Sequence, residues 1–389
     1  MRFVLADKNL LIGGRCYEGF PLLINDDGGD IQPAQTWLWE LLGTAGRISS
    51  KRSWENYGRG IYDFFAFALA NGYDWKASSE PGLPSAIVAW RDWSRGTLRL
   101  ESSTINHRLR VVVRFYEWAL KKKLIEQLPF DFVTVKTHRQ PGFLEHVNAT
   151  GNLMESPQVL LQEKQQIIRF LTKEQIVVCH EALSNVTHRL MFELMVRTGL
   201  RQIECRTFPD AAGYVFDPSR RKDLSPGEKI RLSLEPKDME IKNSKPRTID
   251  MPYDLMEKLW AYSVRRRQGR ASANRKGEEH SPLFLTEAGV PYPKDAITAI
   301  MRALAKRVEF PVTAHMLRHT YATYLLWSLR KSKTFEGEPL LYVRDRLGHR
   351  DVSTTMIYLP LINLLEGQLV SAHEDEIDKL FMPTGEATV

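Results

Sequence analysis

Residues 315–323 read HMLRHTYAT, a run that places His315 and Arg318 three positions apart. Side chains with that spacing share one face of a helix, so this histidine and this arginine can act on one bound group. Two other segments carry similar side chains: residues 198–204 read TGLRQIE, and residues 347–358 read LGHRDVSTTMIY. Arginines on separate elements can grip the oxygens of one phosphate, so the three segments together predict a phosphate-handling site.

The first and third segments supply the partners of that site. Arg201 follows a Gly-Leu break where one helix ends and another begins, and Glu204, three positions on, can orient it or cap the local backbone. Tyr358 ends the third segment, and His349 lies nine positions before it. A phenol has a pKa of about 10, so it needs nearby positive charge or a histidine to attack phosphorus at neutral pH.

A zinc site is the competing interpretation of the central segment, because His315 and His319 are four positions apart. The glutamate that such a motif places after its first histidine is replaced by Met316, and Arg318 between the histidines would repel a cation. The spacing suggests no third ligand. We therefore expect no metal and no other cofactor, and we interpret His319 as a buried, supporting histidine.

The composition is that of an ordinary soluble protein. The chain has 389 residues, 43% hydrophobic and 26% charged, which predicts two or three domains with substantial cores. A net charge of +7 favours a polyanionic partner only weakly. Three unpaired cysteines fit a reduced, cytoplasmic compartment. No apolar run is long enough for a membrane span, and the N-terminus, MRFVLADKNLL, does not resemble a signal peptide.

The chain divides into five parts by pattern. We predict a strand-and-turn segment, a helical domain, an aperiodic linker, a second domain and a tail, at residues 1–34, 35–127, 128–165, 166–370 and 371–389.

The last long helix of the first domain carries Arg110, Arg114 and Lys121 on one face. The plain interpretation is a solvated face with cations near the helix C-terminus. The functional interpretation is a stripe that follows DNA phosphates.

The second domain begins with a capping box in which Thr172 and Gln175 satisfy the first turn of a helix. Residues 229–252 alternate as strands do, with a turn at residues 243–246 between a strand ending at Lys242 and one starting at Arg247. Residues 265–280 predict an exposed basic loop, and the remainder is mostly helical. The predicted fold is therefore mainly α with a small antiparallel β-sheet (α+β).

These segments together resemble the tyrosine recombinases, the family of phage integrases and chromosome-dimer resolvases. The family pattern is T-G-L-R-x-x-E, then H-x-L-R-H-T, then L-G-H followed by T-T-x-x-Y, and all three occur here in that order. The resemblance covers about residues 170–370. By architecture alone, residues 35–127 look like the family's helical core-binding domain, placed before the catalytic domain.

The resemblance implies a role for each matching residue. Arg201 and Arg318 hold the scissile phosphate, while His315 contacts it and assists proton transfer at the nucleophile. His349 hydrogen-bonds a non-bridging oxygen, and Tyr358 is the nucleophile.

The family also uses a lysine on a hairpin as general acid for the leaving 5′ oxygen. Lys237, Lys242 and Lys245 lie in this region; we assign Lys242, with Lys245 as the alternative.

The implied function is site-specific DNA recombination through a 3′-phosphotyrosyl intermediate, in the integration or excision of mobile DNA. The implied partners are double-stranded DNA with recombination sites, three further copies of the chain in a tetramer on that DNA, and an accessory DNA-bending or directionality factor. The protein is expected in a bacterial cytoplasm, with the nucleoid, and encoded by the chromosome or a mobile element. The segment after Tyr358 carries an apolar stripe that docks on a neighbouring protomer or, alternatively, in cis.

Two alternatives remain open on the sequence. A type IB topoisomerase or a telomere-resolving enzyme uses the same residue types for DNA breakage and rejoining. A non-catalytic DNA-binding protein on the same fold would form no covalent adduct. The DNA target, the direction of recombination and the role of residues 1–34 cannot be told from the sequence.

Overall fold

The computed structural model describes residues 1–46, 48, 50–77, 83–136, 153–163, 168–274 and 281–366. The chain forms two compact units, which we call the N-terminal unit, Met1–Gln166, and the C-terminal unit, Ile167–Val389. The predicted fold class is confirmed, since helices dominate and the strands form small antiparallel sheets.

The N-terminal unit begins with four short strands, β1 (Arg2–Leu5), β2 (Leu11–Ile12), β3 (Arg15–Cys16) and β4 (Pro21–Ile24). Strands β1 and β4 pair antiparallel, and β2 pairs with β3. Helix α1 (Ala34–Leu38) continues as a π-helix.

Three longer helices follow, α2 (Lys51–Ala70), α3 (Ala86–Gly96) and α4 (Ser102–Lys121). Their apolar residues recur every three to four positions, which gives each helix one buried face.

The hydrophobic core of this unit draws on more than its helices. Phe20, just before β4, and Leu23 of β4 pack in one core with Phe64 of α2 and Tyr116 of α4. Phe130, from the segment predicted as a linker, belongs to the same core. That segment also contains two strands, β5 (Phe132–Lys136) and β6 (Leu153–Pro157), which pair antiparallel. Pro and Gly residues scattered through the segment obscured this alternation in the sequence. The finer five-part division stays a prediction.

The C-terminal unit contains nine helices labelled here and one hairpin within its described residues. These are α5 (Lys173–Ala182), α6 (Val186–Thr198), α7 (Gln202–Arg206), β7 (Lys229–Leu234), β8 (Arg247–Pro252), α8 (Tyr253–Tyr262), α9 (Gln268–Ser272), α10 (Ala296–Val308), α11 (Ala314–Lys331), α12 (Pro339–Leu347) and α13 (Ser353–Met356). A large hydrophobic core joins α5, α6, α8 and α10 to the hairpin, and a smaller cluster lies between α11, α12 and the chain after α13.

The hairpin differs from the predicted one in its first strand. Strand β7 pairs with β8 in a register that sets Leu234 opposite Arg247. The predicted strand ending at Lys242 is wrong, because residues 242–244 form a single 3-10 turn in which Asn243 and Ser244 have positive φ. Lys242 therefore lies in the long connection between the strands and not at the end of a strand.

The predicted basic loop at residues 265–280 is also partly wrong. Residues 263–272 are helical, first as a π-helix and then as α9, because the chain continues directly from α8 without a helix stop. Residues 275–280 lie outside the described part of the chain. Among the described helices, none is long and apolar enough to cross a membrane.

Candidate active site

Arg201 is held at the junction of two helices. Helix α6 ends at Thr198, and Gly199 takes a left-handed conformation with φ of 67°, which turns the chain so that Arg201 becomes the N-cap of α7. The carboxylate of Glu204 accepts hydrogen bonds from the Arg201 backbone N at 2.7 Å and from its Nη1 at 2.9 Å. Glu204 thus binds the Arg201 side chain and also caps the local backbone, the two roles that its spacing allowed.

Arg318 reaches the same place from α11, whose first turn is capped by the Thr313 hydroxyl. Its Nη1 donates to the carbonyl of Gly199 at 2.7 Å, and its Nη2 donates to the carbonyl of Leu347. The Nη2 of Arg201 donates to the same Leu347 carbonyl at 3.2 Å. The two arginines of separate motifs therefore converge on the third motif.

Burial and the neighbouring charges together set the protonation states in this cluster. Arg318 is 2% exposed, and burial, with the neighbouring charges of Arg247 and Arg201, lowers its pKa to about 9, so it stays charged at neutral pH. Burial opposes the ionisation of Glu204, but the charges of Arg247 and Arg201 outweigh it and hold the pKa of this carboxyl below its ordinary value. The site is therefore cationic.

Tyr358 lies in the turn after α13 and is 1% exposed. Its hydroxyl is 3.1 Å from Nδ1 of His319. Burial raises the pKa of Tyr358 to about 12, although the charges of Arg318 and Arg201 act in the opposite direction. The phenol is thus protonated and enclosed, and His319, interpreted from the sequence as a buried supporting residue, is its hydrogen-bond partner.

The three histidines of the site are uncharged at neutral pH. Burial, with His315 and Arg318 nearby, lowers the pKa of His319 to about 4. Burial and the two motif arginines lower the pKa of His349 to about 3. His349 bonds Thr355 at 3.0 Å between Nδ1 and Oγ1, and its ring is nearly parallel to that of Tyr358, with centroids 6.4 Å apart.

His315 lies on α11, one turn before Arg318 and His319, and Lys242 lies on the 3-10 turn before β8. The His315 ring contacts His319 edge-on, with centroids 4.2 Å apart. Burial lowers the pKa of His315, and the charges of Arg318, Arg201 and Lys242 lower it further. The exposed Lys242 is therefore close enough to act on the site electrostatically, despite the corrected position on a turn. Within the described residues no group of three or more His, Cys, Asp or Glu side chains is placed to hold a metal ion.

Arg247, at the start of β8, is a member of the cluster that sequence reasoning missed. It is 7% exposed, and it donates to the Glu204 carboxylate and to the carbonyl of Arg346. Arginine is seldom buried, and strand alternation gives no sign of which arginine will be. The sequence feature that could have drawn attention to Arg247 was its position two residues after Lys245, at the end of the predicted turn.

The residues named for DNA contact lie together on α4 of the N-terminal unit. Arg110 is exposed and pairs with Glu163 at 3.0 Å. Arg114 donates to the hydroxyl of Tyr57 and lies over its ring, 5.8 Å from the centroid. Lys121, also exposed, closes the last turn of the helix.

A groove of about 190 Å³ runs between α2 and α4 beside these arginines. Its polar lining includes Ser53, Asn56 and His107, which sequence reasoning did not single out.

Two arginines, three histidines and a tyrosine are thus gathered in one cluster, and they are the residues that the three sequence motifs share with the tyrosine recombinases. The model of the phage integrase family matches residues 223–362. This match, together with the relatives described next, supports the tyrosine recombinase (phage integrase) family for this chain.

The curated relatives of this chain have low sequence identity to it, but their alignments span about two thirds of the chain or more. Transposase A from transposon Tn554 of Staphylococcus aureus is 27% identical over 265 residues, which is 66% of this chain and 65% of the transposase. The chain thus spans slightly less than two thirds of that protein. Tyrosine recombinase XerC of Bacillus subtilis is 24% identical over 314 residues, 78% of this chain and 84% of XerC.

Solved structures share the fold at low sequence identity. A Tn1549 transposon integrase in complex with circular intermediate DNA has a TM-score of 0.54 and 17% identity, covering 83% of this chain and 94% of that one. The XerH recombinase bound to its palindromic difH substrate has a TM-score of 0.51 and 15% identity, covering 90% and 92%.

Proposed function

We propose that this chain is a site-specific DNA recombinase that cleaves and rejoins DNA through a 3′-phosphotyrosyl link to Tyr358. One observation carries the proposal. Arg201 and Arg318, from different motifs, bind the same carbonyl of Leu347, and the Tyr358 hydroxyl lies in the same cluster, hydrogen-bonded to His319. The match to the phage integrase family model supports the same activity.

In the first step the Tyr358 oxygen attacks phosphorus in line, and the bond from phosphorus to the 5′ oxygen breaks. The phenolic proton leaves towards His315, and the leaving 5′ oxygen takes a proton from Lys242. Arg201, Arg318 and His349 hydrogen-bond the oxygens of the pentacovalent state, whose negative charge exceeds that of the ground state. Catalysis here is electrostatic stabilisation together with proton transfer.

We interpret the burial of Tyr358 as a resting arrangement for this chemistry. Tyr358 is 1% exposed and its pKa is raised to about 12, so the phenol is enclosed and protonated. Attack on DNA therefore requires the turn that carries Tyr358 to move outward, away from His319. We propose that DNA binding and assembly drive this movement.

In the second step a free 5′ hydroxyl from a partner duplex attacks the phosphotyrosyl bond and releases Tyr358. The link conserves the energy of the original phosphodiester, so rejoining needs no ATP. Two such rounds, passing through a four-way junction, complete recombination. We propose no cofactor for this reaction, because the chain's own cations and proton donors account for each transfer.

The DNA-binding face of the N-terminal unit is proposed to be the groove between α2 and α4. Arg110 and Arg114 would contact phosphates, while Asn56 and His107 offer hydrogen-bonding groups of the kind that contact base edges. Lys121 extends the cationic line to the end of α4.

The proposed assembly is a homotetramer on two DNA duplexes with specific recombination sites, helped by an accessory DNA-bending or directionality factor. We place it in the bacterial cytoplasm, at the nucleoid. Of the apolar stripe after Tyr358, Ile362 packs within the same chain in the cluster that holds Leu326 and Tyr358, and Leu365 is buried. Leu369 and the rest of the tail lie outside the described residues, so docking of that part in trans stays a prediction.

The test uses a plasmid that carries the DNA flanking the gene. Wild-type protein and Tyr358→Phe are incubated with it in EDTA without ATP, then denatured, and protein covalently attached to DNA is measured. We expect an adduct with the wild type alone, and sequencing of its ends then gives the site. An adduct with both proteins would mean that another residue is the nucleophile.

The alternatives are separated by the products. A topoisomerase or telomere-resolving enzyme would relax or hairpin the DNA without exchanging strands between two sites. A non-catalytic DNA-binding protein would bind in a salt-sensitive way and form no adduct, even on a nicked substrate that traps the intermediate. Neither alternative is favoured by the relatives of this chain.

A further inference from the structure

The buried charges around Glu204 are unequal in number. Three guanidinium groups, those of Arg201, Arg247 and Arg318, lie around this single carboxylate, which has no exposed surface. Glu204 binds Arg201 on one side and Arg247 on the other. One carboxylate against three guanidinium groups leaves a net charge of +2 in the cluster.

The net positive charge matters because the proposed reaction passes through a state with more negative charge than the bound phosphodiester. A phosphodiester carries one negative charge, and its pentacovalent state carries two. If Glu204 had Arg201 as its sole ion-pair partner, its charge would cancel half of the positive charge directed at the phosphate. Arg247 supplies a second partner for Glu204. Because Arg247 is only 7% exposed, water screens its charge weakly, and loss of that charge would change the electrostatic potential of the cluster strongly.

Arg247 also joins segments that are far apart in the sequence. It begins β8, directly after the connection that carries Lys242, and its Nη1 donates to the carbonyl of Arg346 at the end of α12. Its side chain packs against Gly348, where a Cβ would come within 2.7 Å of the Arg247 Cδ. The side chain therefore fixes the turn that presents His349.

We propose that Arg247 is a positioning residue for strand cleavage: it neutralises Glu204, so that Arg201 is oriented without loss of its charge, and it holds the 346–349 turn in place. The inference rests on the proposed function, because the phosphate that benefits is the scissile one. It assigns to the chain a residue outside the motif set that predicted the site.

The test is single-turnover cleavage of the DNA site mapped from the wild-type adduct, with binding measured separately. We expect Arg247→Met to cleave about 100-fold more slowly, the cost of losing one preorganised cation, with the Kd for DNA changed by less than about 3-fold. In the double variant Glu204→Gln with Arg247→Met, the unpaired carboxylate is gone while an amide still accepts from Arg201. We expect this variant to recover about 10-fold over Arg247→Met alone.

Two variants separate positioning from loss of folding. Arg197→Met removes another arginine of the same unit that pairs with two carboxylates, those of Glu193 and Asp254, and it should leave the cleavage rate unchanged. Arg247→Lys retains the charge next to Glu204 and should cleave within about 10-fold of wild type, even where Arg247→Met does not fold.

The outcomes are distinct. Cleavage by Arg247→Met at the wild-type rate, a double variant no faster than the single one, or an Arg247→Lys variant as slow as Arg247→Met would each overturn the inference. Absence of an adduct with the wild type would instead overturn the proposed function.

Discussion

At the scale of single residues, the hydrogen bond between His319 and Tyr358 can be measured. His319→Phe leaves the buried Tyr358 hydroxyl without a partner, which costs about 1–3 kcal/mol of unfolding free energy. Tyr358→Phe leaves the His319 ring nitrogen unpaired in turn. The double variant removes both groups, so we expect its loss to fall short of the sum by about 1 kcal/mol, measured by urea unfolding. Additive losses would mean that the two side chains do not interact.

The same histidines predict how stability depends on pH. The pKa of folded His319 is about 4 and that of His349 about 3, whereas an unfolded histidine titrates near 6.5. As the pH falls below about 6.5 the unfolded chain binds protons that the folded chain does not, so stability declines.

Each such histidine contributes up to about 1.4 kcal/mol per pH unit to the slope of the unfolding free energy against pH. In His319→Gln this slope should be smaller by the contribution of one histidine. Urea unfolding at about pH 7, 6 and 5 measures the slope. Equal slopes for the two proteins would show that His319 does not carry this effect.

Several members of the site could be predicted from the sequence because a motif fixes residue type and spacing together. Arg201, Arg318, His349 and Tyr358 come from three such motifs, and the structure brings them into one cluster. Arg247 could not be predicted, because its burial depends on a carboxylate 43 positions away in the chain. No local pattern reports that kind of pairing.

At the scale of elements, the break between α6 and α7 is the feature most open to test. Gly199 has φ of 67°, and a Cβ there would come within 2.4 Å of the Tyr321 ring. Its carbonyl also anchors Arg318. We expect Gly199→Ala to lower the free energy of unfolding by about 2 kcal/mol or more and to reduce cleavage.

Gly269→Ala is the matched control. Gly269 lies within α9 with nothing within 4 Å of an added Cβ, so alanine there should stabilise the helix by up to about 1 kcal/mol. Urea unfolding measures both variants. If both substitutions changed the free energy of unfolding in the same direction, the strained turn at Gly199 would not be the cause of the loss seen with Gly199→Ala.

Elements were predictable where local chemistry decides them. The capping box of Thr172 and Gln175 forms as expected, because both bonds lie within one turn. The strand assigned up to Lys242 failed, because β7 pairs across a connection of residues 235–246 that a local pattern does not measure. The positive φ values of Asn243 and Ser244 then convert the expected strand end into a turn.

At the scale of the whole molecule, DNA binding should depend steeply on salt. Each phosphate contact that a cation makes releases a counterion, so replacing Arg110 and Arg114 together by alanine should reduce the slope of log K against log salt by about 2. Fluorescence anisotropy on duplex DNA over a range of salt concentrations measures this slope. Arg15→Ala with Lys76→Ala removes the same charge from exposed positions outside the groove and should leave the slope unchanged. If the two double variants reduced the slope equally, DNA binding would depend on the net charge of the protein and not on the groove between α2 and α4.

The enclosure of Tyr358 also bears on the safety of the host chromosome. Its ring packs with Leu326, Leu347 and Ile362, so a resting protomer that meets ordinary DNA has no reactive oxygen to present. A mutation that loosens this apolar packing, while sparing the arginines, would free the tyrosine to break whichever phosphate they capture. If Tyr358 is the nucleophile, as proposed, such a mutation would add an activity and not merely remove one. Under the proposed function these buried residues would therefore restrain cleavage at unintended sites, as well as stabilise the fold.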